Sequence, residues 1–213
     1  MIHDLIVWMA HNQAEFRAAL AEHLVLCGVS LALAIAIALP LAVSIAGRER
    51  LSMAVVNLVS ALRTVPSLAI LAIMLPLLGI GRWPSVVALT ILAMPPILIN
   101  ALAGLRGVDP DLLDAATGLG MSRNQVLCRV QFPLAASAIF AGVRTALIQV
   151  LAGAALAPFI GGGGLGDFIT TGIGLRDMTR LLAGAIPIAL LALFSEVCMG
   201  LMEKIFFGAA ARK

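Results

Sequence analysis

The sequence predicts an all-helical membrane protein with five transmembrane helices. Two observations support this prediction: the amino-acid composition and the length of the apolar runs. Of its 213 residues, 62% are hydrophobic and only 12% are charged, and the mean hydropathy is +1.08. A water-soluble domain usually has about a quarter of its residues charged. The apolar residues also fall in runs that approach or exceed the ~20 residues needed to cross ~30 Å of hydrocarbon. Because a backbone in lipid must satisfy its own hydrogen bonds, these runs are predicted to be helices.

Residues 1–23 are predicted to form an external, interfacial segment that leads into a single transmembrane domain of residues 24–213. Within this segment, apolar residues recur at helical spacing between polar ones, a pattern typical of an amphipathic helix on a membrane surface: Leu5, Trp8, Met9, Phe16 and Leu20. The segment has no basic region and no small-residue cleavage site, so it does not predict a secretory signal. Its three histidines, His3, His11 and His23, have poor spacing for metal ligands and are expected to be solvated. No metal site is predicted.

Five apolar runs are predicted to cross the membrane. They cover approximately residues 24–46, 51–80, 85–105, 134–159 and 181–202. The second run is interrupted by Pro66, which removes a backbone donor and disfavours helix in the residue before it. We therefore expect a bend inside this run.

The segment between the third and fourth runs, residues 107–133, is a polar island in an otherwise apolar chain, and it predicts two short helices that meet at a glycine corner. Asp109 and Pro110 suit the cap and first position of the first helix. Gly118 and Gly120 permit the chain to reverse. Residues 122–125 then fit a capping box that starts the second helix, and Pro133 is expected to separate it from the next apolar run.

The distribution of lysine and arginine predicts the orientation. Five crossings bring the turn at residues 47–50, the polar island and the C-terminus to one side. That side carries Arg48, Arg50, Arg106, Arg123, Arg129, Lys204, Arg212 and Lys213, whereas the other carries only Arg17, Arg82, Arg176 and Arg180. Because cytoplasmic loops have an excess of these residues, the N-terminus is predicted outside, and the polar island and C-terminus inside. The excess of basic residues at the cytoplasmic side accounts for the sequence pI of about 9.1, so the pI does not indicate a nucleic-acid partner.

The polar island also contains a pattern that points to docking on another protein. The small residues Ala115 and Ala116 stand beside the glycine corner, and such a face lets a helix seat closely in a partner's groove. On these residues alone, a mere connection between two spans is an equally good interpretation.

The order of residues across the polar island resembles the EAA loop of ATP-binding-cassette (ABC) importer permeases. Asp114-Ala115-Ala116 is followed by three residues and Gly120, then by nine residues and Val130-x-Phe132-Pro133. The resemblance implies the fold of type I importer permeases and a loop gripped by an ATPase subunit. That loop would comprise Asp114, Ala115, Ala116, Gly118, Gly120, Met121, Val130, Phe132 and Pro133. Asp114, Val130 and Phe132 replace the usual Glu, Ile and Leu, and the shorter carboxylate shortens the reach of that one contact.

Further segments are similar to permeases of the osmoprotectant branch, which import glycine betaine, choline, carnitine and related quaternary amines. These segments lie at residues 64–69, 79–81, 104–110, 141–145 and 160–167. Methionine-importer permeases share the short five-span layout and remain an alternative. The resemblance implies a bacterial inner-membrane protein that assembles with two ABC ATPase subunits, a second permease subunit, either identical or a paralogue, and an extracytoplasmic binding protein.

The sequence contains no GxxxxGK[ST] motif, so ATP hydrolysis is expected in a partner subunit and no catalytic residue or cofactor is predicted in this chain. Glycines 161, 163 and 166 do match GxGxxG, but that motif binds dinucleotides only between a strand and a helix. The glycine run is either a flexible turn or a gate near the outer mouth of the pathway. Candidate pathway residues are Pro66, Ser67, Gly161, Gly163, Gly164 and Gly166.

Three charged residues lie in or near the spans: Arg63, Arg144 and Glu196. Charges inside a membrane are costly and often functional, but all three are expected to lie near cytoplasmic helix ends, where their side chains can reach water. A secondary carrier would need deeply buried ion-coupling residues, and a non-transporting scaffold would not need the glycine corner; these are the alternatives from other classes. The chain has no tyrosine, so an aromatic cage for a quaternary amine is expected in the external binding protein.

Overall fold

The computed structural model describes the backbone of residues 2–207 and the side chains of residues 5–207, and all regular secondary structure in that range is helical. The helices are α1 (Ile2–His11), α2 (Gln13–Ile45), α3 (Glu49–Leu62), α4 (Ser67–Leu78), α5 (Arg82–Arg106), α6 (Pro110–Gly118), α7 (Arg123–Val126), α8 (Phe132–Ala154), α9 (Gly166–Leu175) and α10 (Met178–Phe207). A π turn, Leu127–Gln131, joins α7 to α8, and a 3-10 turn, Ala157–Ile160, follows α8.

Four of the described helical segments are long and apolar enough to cross a membrane: α2, α5, the unbroken stretch Arg123–Ala154, and α10. Helices α3 and α4 pass the same test only as a pair, and the chain bends between them by 94°. Counted as one broken span, this pair gives the five crossings expected from the sequence. Pro66 is the N-cap of α4, so the predicted bend is present where the proline requires it.

The N-terminal segment differs in part from its prediction. A break at Asn12 separates α1 from α2, and α2 begins at Gln13, well before the expected start of the first span. Helix α1 packs against the bundle, where the Trp8 ring contacts the Phe168 ring edge-on at 5.4 Å between centroids. The prediction of solvated histidines holds for His11, which is exposed, but is wrong for His23, which is fully buried. The side chain of His3 lies outside the described residues.

Helix α5 is the centre of the bundle and packs against α2, α3, α4 and α8. Its contact with α8 depends on small residues. A Cβ atom added to Gly142 would lie 2.8 Å from the carbonyl oxygen of Pro96, and one added to Gly104 would lie 2.8 Å from the Cβ of Ala138. Small residues are the usual means of bringing membrane helices together, since lipid provides no hydrophobic drive for their association.

The bundle has two distinct ends, defined here by the loops that meet there. At the island end, the polar island lies beside the turn between α2 and α3, and Arg106, the last residue of α5, pairs with Glu49 at 3.5 Å. At the opposite end, the N–H of Gly81 donates a 2.8 Å hydrogen bond to the carbonyl of Ile160. Arg106 and Gly81 lie at the two ends of α5, so these two contacts mark the opposite ends of the bundle.

Candidate functional site

The polar island folds as two short helices, as its capping residues predict. The side chain of Asp109 accepts a 3.0 Å hydrogen bond from the N–H of Asp111 and so caps α6. At the start of α7, the N–H of Ser122 donates to Oε1 of Gln125 at 2.8 Å, and the reciprocal half of the capping box is also present. The two helices are therefore initiated by their own sequence.

The corner between α6 and α7 depends on one glycine. Gly120 has a φ of +85°, a conformation that glycine adopts at little cost. Its N–H donates to the carbonyl of Thr117 at 2.9 Å, and the N–H of Met121 donates to that of Ala116 at 3.2 Å. These bonds satisfy the last carbonyls of α6 and reverse the chain. Gly118, by contrast, lies in α6 itself.

The two alanines predicted to form one small face point in different directions. Ala115 is exposed, whereas Ala116 is buried against the rest of the island at 6% exposure. On the exposed side, Ala115 stands between Leu112 and Leu119, which are 51% and 83% exposed. Residues three and four apart share a helix face, so these three form an apolar stripe, which we call the α6 stripe. Sequence analysis missed its two leucines, although their spacing was visible.

The remaining predicted loop residues lie on α6, at the corner around Gly120 and in the helix that follows. We call this corner the elbow, α6 its first arm and the helix that begins at Arg123 its second arm. Asp114 and Gly118 are exposed on α6, and Met121 is half-buried at the corner. Val130 is half-buried in the π turn, while Phe132 and Pro133 are exposed in the first turn of α8. The structure therefore distributes the predicted set along both arms of the island.

The expectation that Pro133 would separate α7 from the next apolar run is wrong. The helix runs without a break from Arg123 to Ala154. The π turn explains this continuity, because the N–H of Phe132 bonds to the carbonyl of Leu127, five residues earlier. That wider turn accommodates the proline, which lacks a donor and would crowd an ordinary α-helical turn. The second arm of the island is thus rigidly continuous with a membrane helix.

A second feature is a cavity of about 410 Å³ beside the bend between α3 and α4. Pro66 and Ser67, both predicted as pathway residues, line it together with Arg63, Leu92 and Gln149. Leu92 lies near the middle of α5, so the cavity lies about half-way along the bundle. The prediction that Arg63 lies near a cytoplasmic helix end is therefore wrong, because the break after α3 holds this residue at mid-bundle depth.

The predicted glycine run forms a closely packed turn at the opposite end of the bundle. Gly161, Gly163 and Gly164 have φ angles of +77°, +75° and +88°, which favour glycine. The N–H of Gly164 donates to the carboxylate of Glu22 at 3.1 Å, and Glu22 also pairs with Arg82. These contacts tie the glycine run to α2, and its interpretation as a flexible turn stays a prediction. A role as a gate stays a prediction.

The last predicted pathway glycine, Gly166, begins α9, where a Cβ atom would lie 2.4 Å from the carbonyl oxygen of Ala155. The next residue, Asp167, lies close to Glu22. Partial loss of water around its carboxyl group, together with the negative charge of Glu22, raises the pKa of Asp167 above its usual value. The glycine run lies between a 3-10 turn and a helix, so the strand that a dinucleotide site needs is not there.

Arg144 and Glu196 form an ion pair between α8 and α10. Nε of Arg144 donates to Oε2 of Glu196 at 3.1 Å, and Nη1 donates to Oε2 of Glu203 at 2.8 Å. The expectation that Arg144 and Glu196 lie near cytoplasmic helix ends stays a prediction, and sequence analysis did not anticipate Glu203 as a second partner. Across the described residues, no three His, Cys, Asp or Glu side chains are grouped so as to hold a metal ion.

Comparison with known proteins identifies relatives along most of the chain. Residues 26–206 match the family described as binding-protein-dependent transport system inner membrane component. The carnitine transport permease protein OpuCB of Listeria monocytogenes is 47% identical over 149 residues, which cover 70% of this chain and 68% of that protein. The glycine betaine/carnitine/choline transport system permease protein OpuCB of Bacillus subtilis is 36% identical over 203 residues, covering 95% and 94%.

Among solved structures, an inward-facing conformation of the MetNI methionine ABC transporter resembles this chain with a TM-score of 0.79. The match covers 94% of this chain and 97% of the other, at 20% sequence identity. At that identity the likeness bears on the fold alone. It confirms the all-helical fold of type I importer permeases that the sequence predicted.

Proposed function

The chain belongs to the family of binding-protein-dependent transport system inner membrane components, and from that premise we propose that it forms the membrane pathway of an osmoprotectant importer. Its cargo would be glycine betaine, carnitine or choline, and a separate ABC ATPase would supply the energy. The observation that carries this proposal is similarity along nearly the whole length of a permease named for glycine betaine, carnitine and choline transport. Family membership gives no support to a secondary carrier or a non-transporting scaffold.

The α6 stripe is the proposed contact with the ATPase. An apolar stripe on a protruding short helix suits a hydrophobic groove of a partner protein. The stripe lies on an elbow whose second arm continues without a break into a membrane helix. A push on Leu112, Ala115 and Leu119 would therefore move α8 as a rod. We propose that the island end faces the cytoplasm, in line with the excess of lysine and arginine there.

The pathway is proposed to run past the cavity at the α3–α4 bend. This chain encloses the cavity only on one side, with Arg63 and Pro66 exposed. A second permease subunit, either a second copy or a paralogue, would complete the wall. An external binding protein would deliver the cargo at the opposite end, and ATP would bind only to the ATPase subunits. This chain would hold no cofactor of its own.

Reconstitution of the permease, its ATPase and its binding protein in proteoliposomes tests the proposal. We expect uptake of radiolabelled glycine betaine, carnitine or choline that requires internal ATP and the binding protein. Ala115→Phe should abolish ATPase co-purification and uptake, because a bulky ring would prevent close seating of the α6 stripe. Asp4→Asn, a change far along the chain from the island, serves as control. Uptake of none of the three cargoes, or unchanged ATPase binding by Ala115→Phe, would contradict the proposal.

A further inference from the structure

We infer that the substrate carries a carboxylate and that Arg63 is the group in the pathway that receives it. This inference rests on the proposed transport function and narrows it to zwitterionic osmoprotectants of the betaine or carnitine type. A bare cation such as choline would be a poor cargo. Four observations support this assignment: the depth of Arg63, its lack of an ionic partner, the chemistry of the cavity wall, and the position of the aromatic rings.

The backbone holds Arg63 about half-way along the bundle, on the open side of the cavity. This residue is the C-cap of α3, and its N–H bonds to the carbonyl of Val59 at 3.1 Å. The chain then turns through 94° before α4 begins. Arg63 lines the cavity together with Leu92 and Pro95, which lie near the middle of α5. A charge at this depth is costly and usually marks a substrate or ion pathway.

The charge of Arg63 is not neutralised by any residue that the structure describes. None of the ion pairs found there includes it. Arg144, the other arginine at membrane depth, contacts two carboxylates, those of Glu196 and Glu203. Arg63 is exposed on the open side of the cavity, so its guanidinium is accessible to a ligand, and the contrast with Arg144 indicates that the counter-charge of Arg63 arrives with that ligand.

The polar wall of the cavity suits an anionic group. Its polar side chains are those of Arg63, Thr64, Ser67 and Gln149, and no acidic residue lines it. The hydroxyl of Thr64 already donates to the carbonyl of Ala61 at 2.7 Å, which leaves Ser67 and Gln149 as further donors. A guanidinium binds a carboxylate through two parallel hydrogen bonds. Such a wall offers a carboxylate several donors and offers a cation no negative partner.

The cavity wall also has no aromatic ring to bind a quaternary ammonium group. No aromatic residue lines the cavity, and a cation–π contact requires a ring within about 6 Å. Phe140 packs against Phe207 instead, and Phe194 is exposed on α10. A zwitterion can direct its carboxylate to Arg63 and its ammonium toward the open side of the cavity. A cation without a carboxylate would meet only the repulsion of the arginine.

Uptake by the reconstituted transporter tests the inference with Arg63→Gln and Arg63→Lys as a matched pair. Initial rates of glycine betaine and choline uptake are measured in parallel with the same binding protein. Because the binding protein is the same for every variant, a change in the betaine-to-choline ratio belongs to the permease. Arg63→Gln should lower betaine uptake by about tenfold, the factor expected for the loss of one charge-assisted hydrogen bond. It should leave choline uptake unchanged or raise it.

Arg63→Lys should retain most of the betaine uptake, because it keeps the charge. If the binding protein delivers no choline, the difference in betaine uptake between Arg63→Gln and Arg63→Lys is sufficient to test the inference. Equal losses for both cargoes, or for both variants, would overturn the inference and indicate a structural role, such as an ion pair with the second permease subunit. Full uptake by Arg63→Gln would overturn it as well. Absence of any ATP-driven uptake by the unaltered protein would instead contradict the proposed function.

Discussion

The side-chain amide of Gln131 donates a 2.8 Å hydrogen bond to the carbonyl oxygen of Leu105. Leu105 lies in the last turn of α5, whose final carbonyls have no partner within the helix. Gln131 is the last residue of the π turn that leads into α8. The bond therefore ties together the two helices from which the polar island projects. A force applied to the elbow reaches both helices, because they cannot separate at this point without breaking it.

Gln131→Met is expected to weaken the coupling of ATP hydrolysis to transport. The variant keeps the size of the side chain but removes the donor, at a cost of about 1 kcal/mol in stability. More ATP should be hydrolysed for each cargo molecule imported, which parallel measurement of ATPase activity and uptake in proteoliposomes detects. Gln125→Met is the matched control, since it removes a hydrogen bond inside the island but leaves the tie intact. Equal coupling ratios in the two variants would contradict this role.

The two glycines of the elbow should respond in opposite directions to alanine. Gly120 has a φ of +85°, so Gly120→Ala is expected to cost about 1–2 kcal/mol. Gly118 lies in α6, and a Cβ atom there would meet nothing within 4 Å. Gly118→Ala should therefore be neutral or stabilise the protein by up to about 0.5 kcal/mol. Thermal unfolding of the purified variants measures both effects. A greater loss for Gly118→Ala than for Gly120→Ala would show that the corner has another conformation.

The prolines show how far sequence reasoning reaches in this fold. Pro66 predicts a bend from its missing donor and its effect on the preceding residue. The angle of 94° does not follow from the proline, because it depends on how α4 packs against α5. At Pro133, by contrast, the structure does not agree with the prediction. Its expected interruption is absent because one wider helical turn accommodates the ring, and no residue pattern at 127–131 signals that turn.

The candidate site was predicted as a set of residues but not as a geometry. The cap of α6, the glycine corner and the capping box of α7 follow from local sequence, and all are present. The opposite orientations of Ala115 and Ala116 depend on which face of α6 packs against the second arm. The depth of Arg63 depends on the bend. Both are tertiary properties, which a linear pattern of residue types does not contain.

The ion pair between Arg144 and Glu196 gives a third prediction. Arg144→Met removes the positive charge shared by Glu196 and Glu203 and leaves two carboxylates together at membrane depth. Because like charges there repel and lack water, the melting temperature should fall by several degrees. Adding Glu196→Gln to Arg144→Met should recover part of the loss. Thermal unfolding of the single and double variants in detergent measures this recovery, and its absence would contradict a direct interaction.

The fourth prediction concerns the pH dependence of stability at the opposite end of the bundle. Asp167 stands in the first turn of α9, where the helix dipole favours a negative charge. Partial loss of water and the nearby Glu22 outweigh that effect and raise the pKa of Asp167. The folded protein therefore retains this proton at pH values where the unfolded chain, with a pKa of about 3.9, has released it.

Stability contributed by protonated Asp167 is complete below about pH 4 and is lost as the pH rises through the folded-state pKa. Asp167→Asn cannot lose a proton, so it should be more stable than the unaltered protein at neutral pH, and the difference should shrink on acidification. Melting temperatures between pH 4 and pH 8 measure this convergence. Glu22→Gln should also reduce the pH dependence, because it removes the repelling charge, although it weakens the contacts to Arg82 and Gly164. A constant difference in melting temperature between Asp167→Asn and the unaltered protein across this pH range would show that the pKa of Asp167 does not change on folding.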